Sequence, residues 1–416
     1  MRFLITVPGW YLGGIVSFCT NLSAGLRRAQ HEVILLRGST GPAAPPGALR
    51  DLFDGCSFVP RGISGIGSHL RKYVQEIERL KPDVIIINDS PYVMAALPFI
   101  NQAIIRLPVI HSLLPGELDL GLSNPEWWDR AIAVSQSAAK AIAGRGLADR
   151  ATVCLLGVPL PPTTREETRR SQKSPLTIIS VGRIVVRDKR MDRLPDIAEG
   201  LIRRNVDYHW TVLGDGEYLP ALRRELKGRG ILGHFSLRGS VPASMVSQAF
   251  ERAEVLVMPS DSEGTPHALL EAMSHGVVPV VSRIAGSTTC IIEDRSSGFL
   301  CEPSNPAEFA NAISDLASNA ALRREVGRNA ASAMARDFSL EAFAARFLSA
   351  ISEVRSKGVV RPSPLPLCQV SSGEIGMGCL GLWRCLRTET VGRLKRWWRG
   401  RRIVKAAESG ALLPSI

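Results

Sequence analysis

The 416-residue chain has no long apolar run. Stretches such as Val84–Ile87 and Val277–Val281 fall far short of the roughly 20 residues that span a bilayer, so no transmembrane helix is expected. It has no Cys-x-x-Cys pair either. Its eight cysteines (19, 56, 154, 290, 301, 368, 379 and 385) are scattered without a histidine at zinc-ligand spacing, which leaves reduced thiols and no metal site as the reading. The start, Met1-Arg2-Phe3-Leu4-Ile5, runs into Pro8-Gly9 without the charged head and long apolar core of a secretion signal, so a cytoplasmic location is expected. No short repeat supports a solenoid. Gly214-Asp215-Gly216 follows an apolar strand, but Leu219 stands where a dinucleotide fingerprint needs its third glycine and Glu217 would face a pyrophosphate. That segment is read as a tight strand-to-helix turn, not an NAD site.

What is present is ordinary for a globular protein: 45% apolar and 22% charged residues, with material for two or three domains. The net charge of +12 is unevenly spread, with eight Lys/Arg against the single acid Glu389 between Arg384 and Arg402. Trp383, Leu386, Val391, Leu394 and Trp398 interleave with those cations at near-helical spacing. Residues 380–402 are therefore read either as an anionic-membrane contact or as a basic tail that packs back on the first domain or stays unfolded. No nucleic-acid partner is expected.

Short apolar strands alternate with polar-faced helices. In the first half these are Phe3–Val7, His31–Leu36, Asp83–Asn88, Leu107–Ile110 and Ala131–Val134, and in the second Leu176–Val181, Trp210–Leu213, Val255–Met258 and Val278–Val281. Helices are expected over 192–204, 306–318 and 320–335. This is βαβ grammar around parallel sheets, interrupted by a Pro/Thr/Arg-rich stretch near residues 159–175. The reading is an α/β chain with two doubly wound Rossmann-like domains, 1–168 and 169–350, facing across a cleft. Residues 351–416 are read as a linker and basic tail, with 359–381 as a poorly ordered linker.

Ser260–Val281 carries the densest chemistry. After the strand Val255–Met258, Thr265 fits an N-cap and Pro266 the first helical position, so the helix N–H groups would point at whatever the loop binds. Glu263 and Glu271, eight apart, would accept from hydroxyls beside a bound anion, or else are surface carboxylates favoured by a helix start. His267 and His275 read as helix-surface residues. Arg183 and Lys189, just past the first strand of the second domain, suit a diphosphate grip or a solvated basic loop. His111 ends a strand at the expected cleft edge, as a rim residue or a functional one. Trp10 and Tyr11 beside Gly13-Gly14 would stack on a sugar or fill the core.

Together these segments resemble the retaining glycosyltransferases of family 4, of GT-B fold, over residues 1–350. The matching pieces are Gly13-Gly14, His31-Glu32-Val33, Lys81-Pro82-Asp83-Val84, Val109-Ile110-His111, Ala133-Val134-Ser135-Gln136-Ser137, Val181-Gly182-Arg183 with Lys189-Arg190, Gly214-Asp215-Gly216 and the E-x7-E pair Glu263 and Glu271. The resemblance implies a metal-independent hexosyltransferase using a nucleotide-sugar, UDP- or GDP-linked, as substrate with no cofactor. Arg183 and Lys189 would bind the diphosphate, Glu271 the ribose and Glu263 the sugar hydroxyls. The N–H groups of Gly264, Thr265, Pro266 and His267 (proline excepted) would hold sugar and phosphate, His111 would reach the sugar, and Gly13 and Gly14 would approach the phosphate. The acceptor would be a glycan or a lipid-linked saccharide of surface polysaccharide biosynthesis at the inner membrane face. The chain departs from the family pattern at Ala285–Cys290, where Cys290 takes the place of the usual acid. A GT-B nucleotide-sugar epimerase and a non-catalytic sugar-nucleotide or membrane-binding subunit are the alternatives.

Overall fold

Two sets of parallel strands, their central members buried on both faces, organise the computed structural model, which describes residues 1–9, 14–38, 51–60, 66–161, 175–358 and 361–366. The first set is β1 (Arg2–Val7), β2 (Glu32–Arg37), β3 (Gly55–Phe58), β4 (Val84–Asn88), β5 (Ile105–Ile110), β6 (Ala131–Ala133) and β7 (Ala151–Val153). It forms a seven-stranded sheet ordered β3-β2-β1-β4-β5-β6-β7. The second is β8 (Leu176–Val181), β9 (Tyr208–Leu213), β10 (Phe235–Leu237), β11 (Val255–Met258), β12 (Val278–Ser282) and β13 (Phe299–Cys301), ordered β10-β9-β8-β11-β12-β13. Every strand pairing is parallel.

Period-two alternation explains the double burial. Phe3, Ile5 and Val7 of β1 enter one core while Leu4 enters the other, and Val84 and Ile86 of β4 face opposite to Ile85 and Ile87. In the second sheet Leu256 and Met258 share the first of these cores, and Val255 and Val257 enter a third. One apolar core is thus continuous across both domains. Strand order reverses at β1/β4 in one sheet and at β8/β11 in the other, which opens a crevice beyond the carboxyl ends of those strands.

The chain then returns to the first domain. The helix Leu340–Lys357 packs on the helix Gly14–Arg28, with Phe343 and Phe347 5.3 and 5.9 Å from Phe18 by ring centroids. Val158 donates its N–H to Phe338 at 2.8 Å and Arg346 reaches the Leu155 carbonyl at 2.7 Å, so backbone as well as side chains tie this crossing down. The expected loose linker from Val359 fails over 361–366. Arg361 makes a double ion pair with the buried Asp129 at 2.7 and 2.9 Å, Pro362 accepts from Gln102, and Leu365 N–H donates to Pro98 at 2.8 Å. Proline and serine in that stretch signalled irregular backbone, which it is, but irregular backbone docks well when its polar groups find partners. The basic segment 380–402 lies outside the described residues.

Candidate functional site

On the second-domain side, two loops beyond β8 and β11 are stitched together by charge. Arg190 and Arg193 both pair with Asp261, at 2.8 and 2.6 Å, and Asp261 N–H donates to the Asp188 carbonyl at 2.9 Å. The turn after β9 presses on the turn after β8: a β-carbon at Gly214, φ +131°, would lie 1.8 Å from the Gly182 carbonyl oxygen. Within this frame Lys189 Nζ meets Glu263 Oε2 at 2.6 Å, and Ser260 Oγ donates to Glu263 Oε1 at 2.7 Å. The Glu263 side chain is 5% exposed and that of Lys189 20%, so neither is the solvated surface group that spacing alone allowed. Arg183 is different: it pairs with Asp188 at 2.5 Å and stays 62% exposed.

The motif helix runs His267–Ser274, with Pro266 at its N-cap and no side-chain cap. Thr265 is therefore not the N-cap expected from its type. Its hydroxyl instead donates to the Val134 carbonyl of the first domain at 2.7 Å, a tertiary bond that outcompetes the local one. His267 is not a surface residue either. Desolvation, with the nearby Lys189 charge, pushes its imidazole down to about 4, and its Nε2 stands 3.3 Å from where a β-carbon at Gly14 would sit. His275 is half-buried and contacts Ser247 Oγ at 3.3 Å. Glu271 is half-buried, its carboxyl raised by desolvation, and no hydrogen-bond partner meets it among the described residues. A desolvated acceptor facing a cleft without a partner is primed for hydroxyl donors.

From the first domain comes His111, at the end of β5, with Phe18 edge-on at 4.8 Å. Its Nε2 lies 2.8 Å from Asn88 Oδ1. Because Asn88 Nδ2 donates to the Thr6 carbonyl at 3.1 Å, Asn88 Oδ1 is the acceptor and the imidazole carries its proton on Nε2. Nδ1 keeps a lone pair, and desolvation holds the ring neutral by lowering it to about 3. Gly264 approaches the His111 carbonyl, and Ser287 Oγ donates to the Gly264 carbonyl at 2.8 Å. Gly14 opens the first helix opposite His267; Gly13, Trp10 and Tyr11 lie outside the described residues. The structure thus brings Lys189, Glu263, Gly264, Thr265, His267, Gly14 and His111 to one seam, with Glu271 one helical turn past His267 and Arg183 left exposed.

One cleft residue escaped the sequence. Asp89, at the carboxyl end of β4 beside the β1/β4 reversal, has φ +43° and a carboxyl raised to about 7 by desolvation and then by Glu117. An aspartate after a buried strand has no periodic signal; only its left-handed backbone marks it, and that needs coordinates. A carboxyl whose folded pKa lies above its unfolded one binds extra protons in the folded state, so stability is full below about pH 4 and is lost as pH rises towards 7. Asp89→Asn, which tolerates the left-handed backbone, should therefore melt a few degrees above the parent chain at pH 8, with the gap narrowing as pH falls and closing by about pH 4. Equal melting temperatures at pH 8 would refute the penalty.

Residues 12–160 match the model for Glycosyltransferase Family 4 and residues 163–333 that for Glycosyl transferases group 1. The chain is of the GT-B glycosyltransferase type. The solved structure of HepE from Anabaena with UDP and glucose superposes with a TM-score of 0.68 over 85% of this chain and 100% of that one, at 16% identity. Alpha-D-kanosaminyltransferase of Streptomyces kanamyceticus is 28% identical over 165 residues, 40% of this chain and 42% of the relative. Lipopolysaccharide 1,6-galactosyltransferase of Escherichia coli is 24% identical over 275 residues, 64% of this chain and 75% of the relative. The chain spans about half or less of the length of the curated relatives it matches first. In this GT-B chain the departure at Ala285–Cys290 is a built turn, not a loose one. Thr288 Oγ1 donates to the Ser282 carbonyl at 2.7 Å and accepts from Ile284 N–H at 2.8 Å, while Cys290 is exposed.

Proposed function

We propose that the chain is a retaining, metal-independent hexosyltransferase that moves a sugar from a nucleotide donor, UDP- or GDP-linked, to a glycan or lipid-linked acceptor of a surface polysaccharide. The observation that carries this reading is the polarity of the seam. A neutral histidine and a helix N-terminus face each other beside Lys189, while Glu271 waits without a partner one turn along. Cationic and N–H groups suit a diphosphate; a desolvated, unpaired carboxylate suits ribose hydroxyls.

Each group keeps capacity for a ligand. The Lys189 ammonium has three donors and spends one on Glu263, leaving two for phosphate oxygens. Glu263 accepts from Lys189 and Ser260 and retains lone pairs for sugar hydroxyls. His111, with its lone pair on Nδ1, would accept from a sugar hydroxyl and not donate to one. Arg183, free in solvent apart from Asp188, would close on the diphosphate. As the glycosidic bond breaks, negative charge would grow on the leaving phosphate; Lys189 and the helix end would stabilise it as fixed groups, and Arg183 would join them on closing. The acceptor hydroxyl attacks on the same face and its proton passes to the leaving phosphate oxygen, so the anomeric configuration is kept. HepE with UDP and glucose and the lipopolysaccharide galactosyltransferase support a nucleotide donor and a saccharide acceptor by likeness. The reading puts its action at the inner membrane face, supported by the cations and apolar residues interleaved over 380–402.

A thermal-shift screen against UDP, GDP and ADP tests the site. A nucleotide at about 100 times its Kd adds about 2.7 kcal/mol, a rise of several degrees. Arg183→Ala and Lys189→Ala should each abolish most of that rise. No response to any nucleotide would sink the reading, and an inverted anomer in the product would sink retention alone.

A further inference from the structure

His267 holds the one imidazole nitrogen in the cleft that is both buried and unpartnered among the described residues. Its Nδ1 is shut off from solvent with no hydrogen-bond partner, while its Nε2 faces Gly14, the first residue of the opposing Gly14–Arg28 helix. Buried polar nitrogens are normally satisfied, so an orphan at the meeting of two helix N-termini marks a place for an anion. The charges around it agree. Lys189 lies close enough to disfavour the imidazolium, His111 is the neighbouring ring across the seam, and Glu263 is taken up by Lys189 and Ser260. On its own helix Glu271 is four residues on, one turn along the same face and about 6 Å away along the axis, the scale of a ribose-to-phosphate step. Among the described residues no carboxylate is paired with His267 to keep it charged in the free chain.

We propose that the His267 side chain is a ligand of the donor diphosphate and takes up a proton from solvent when that diphosphate binds. This rests on the nucleotide-sugar reading above and adds a titrating partner to its fixed charges. In the free chain desolvation and Lys189 hold the ring at about 4, so it is neutral at pH 7. A bound diphosphate brings negative charge against it and reverses that balance: the nitrogen with the lone pair accepts a proton, both nitrogens then donate, and the proton returns to solvent when the nucleoside diphosphate leaves. Diphosphate affinity therefore rises as pH falls from 8 to 6, whereas the fixed charges Lys189 and Arg183 contribute no such slope.

Calorimetric titration at pH 7, in two buffers of different ionisation enthalpy, reads the protons taken up per ligand bound. The probes are inorganic pyrophosphate and whichever of UDP, GDP or ADP stabilises the chain most. The parent chain should take up a substantial fraction of a proton. His267→Ala should bind about tenfold more weakly with no uptake, and His267→Gln should recover part of the affinity through its amide donor, again with no uptake. His111→Gln should keep the uptake. Binding by the parent chain without uptake, undiminished uptake in His267→Ala, or loss of uptake only in His111→Gln would each overturn the assignment while leaving the transferase reading intact. Failure of the parent chain to bind either probe would instead remove that reading, and this inference with it.

Discussion

Lys189→Met should cut sugar transfer by about 10²- to 10³-fold, the usual scale for removing one preorganised charge from a developing anion, and should also lower the melting temperature by several degrees. The second effect follows from Glu263. Its side chain is 5% exposed and, among the described residues, its partners are Lys189 and Ser260. Removing one member of a buried pair strands the other, at a cost of about 3–5 kcal/mol. The two losses separate in the double variant Lys189→Met with Glu263→Gln. The neutral amide no longer needs a cation, so the melting temperature should recover most of the way while transfer stays lost. Arg183→Ala provides the contrast: its guanidinium is 62% exposed and, among the described residues, paired with Asp188 alone, so stability should move little while transfer falls. Melting curves and turnover with the best donor check all three. If Lys189→Met melts lower but transfers sugar at the parent rate, Lys189 serves only to neutralise Glu263 and its place at the leaving group is wrong.

That coupling illustrates what the sequence displayed and what it hid. A strand such as Val255–Met258 was legible because a parallel strand buried on both faces is a short unbroken apolar run. The helices Pro306–Ser318 and Ala320–Asp337 were legible by their amphipathic period. The site residues were legible as types in order, but their partners were not: Lys189 and Glu263 are 74 positions apart, and Thr265 and Val134 131 apart. Local rules gave Thr265 to a helix cap and His267 to a helix surface. Both were overridden by the first domain, which lies against that helix end. Short strands with mixed burial, such as β3 and β7, carried no alternation long enough to read. The Leu340–Lys357 helix was missed for a related reason. Its apolar stripe is clear, but nothing in the stripe says that it crosses to the other domain and seats Phe343 and Phe347 on the Phe18 that flanks His111.

Arg361→Ala should lower the melting temperature of the chain by as much as any cleft substitution, although it lies in a segment that composition marks as a linker. Asp129 is fully buried in its side chain and Arg361 is 6% exposed, and the guanidinium binds both carboxylate oxygens in a fork. The Arg106 N–H supplies one further bond to Asp129, at 2.8 Å. The Arg106 guanidinium itself is turned to the carbonyls of Trp127, Ile100 and Asn101, at 2.9–3.1 Å. Without Arg361, Asp129 remains a buried carboxylate with a single N–H, so the loss is about 3–5 kcal/mol. Arg361→Lys should recover only part, because an ammonium replaces the planar fork with a point charge and gives up the bond to the Gln102 carbonyl at 2.7 Å. Asp129→Asn in the Arg361→Ala background should regain stability by removing the stranded charge. Nucleotide binding should be unaffected in every one of these variants, since Arg106 at the start of β5 and Asp129 just before β6 lie at the opposite strand end from His111. An unchanged melting temperature for Arg361→Ala would mean that residues 361–366 leave the first domain without cost, and that the crossing from the second domain is held by Leu340–Lys357 and the Val158–Phe338 bond without them.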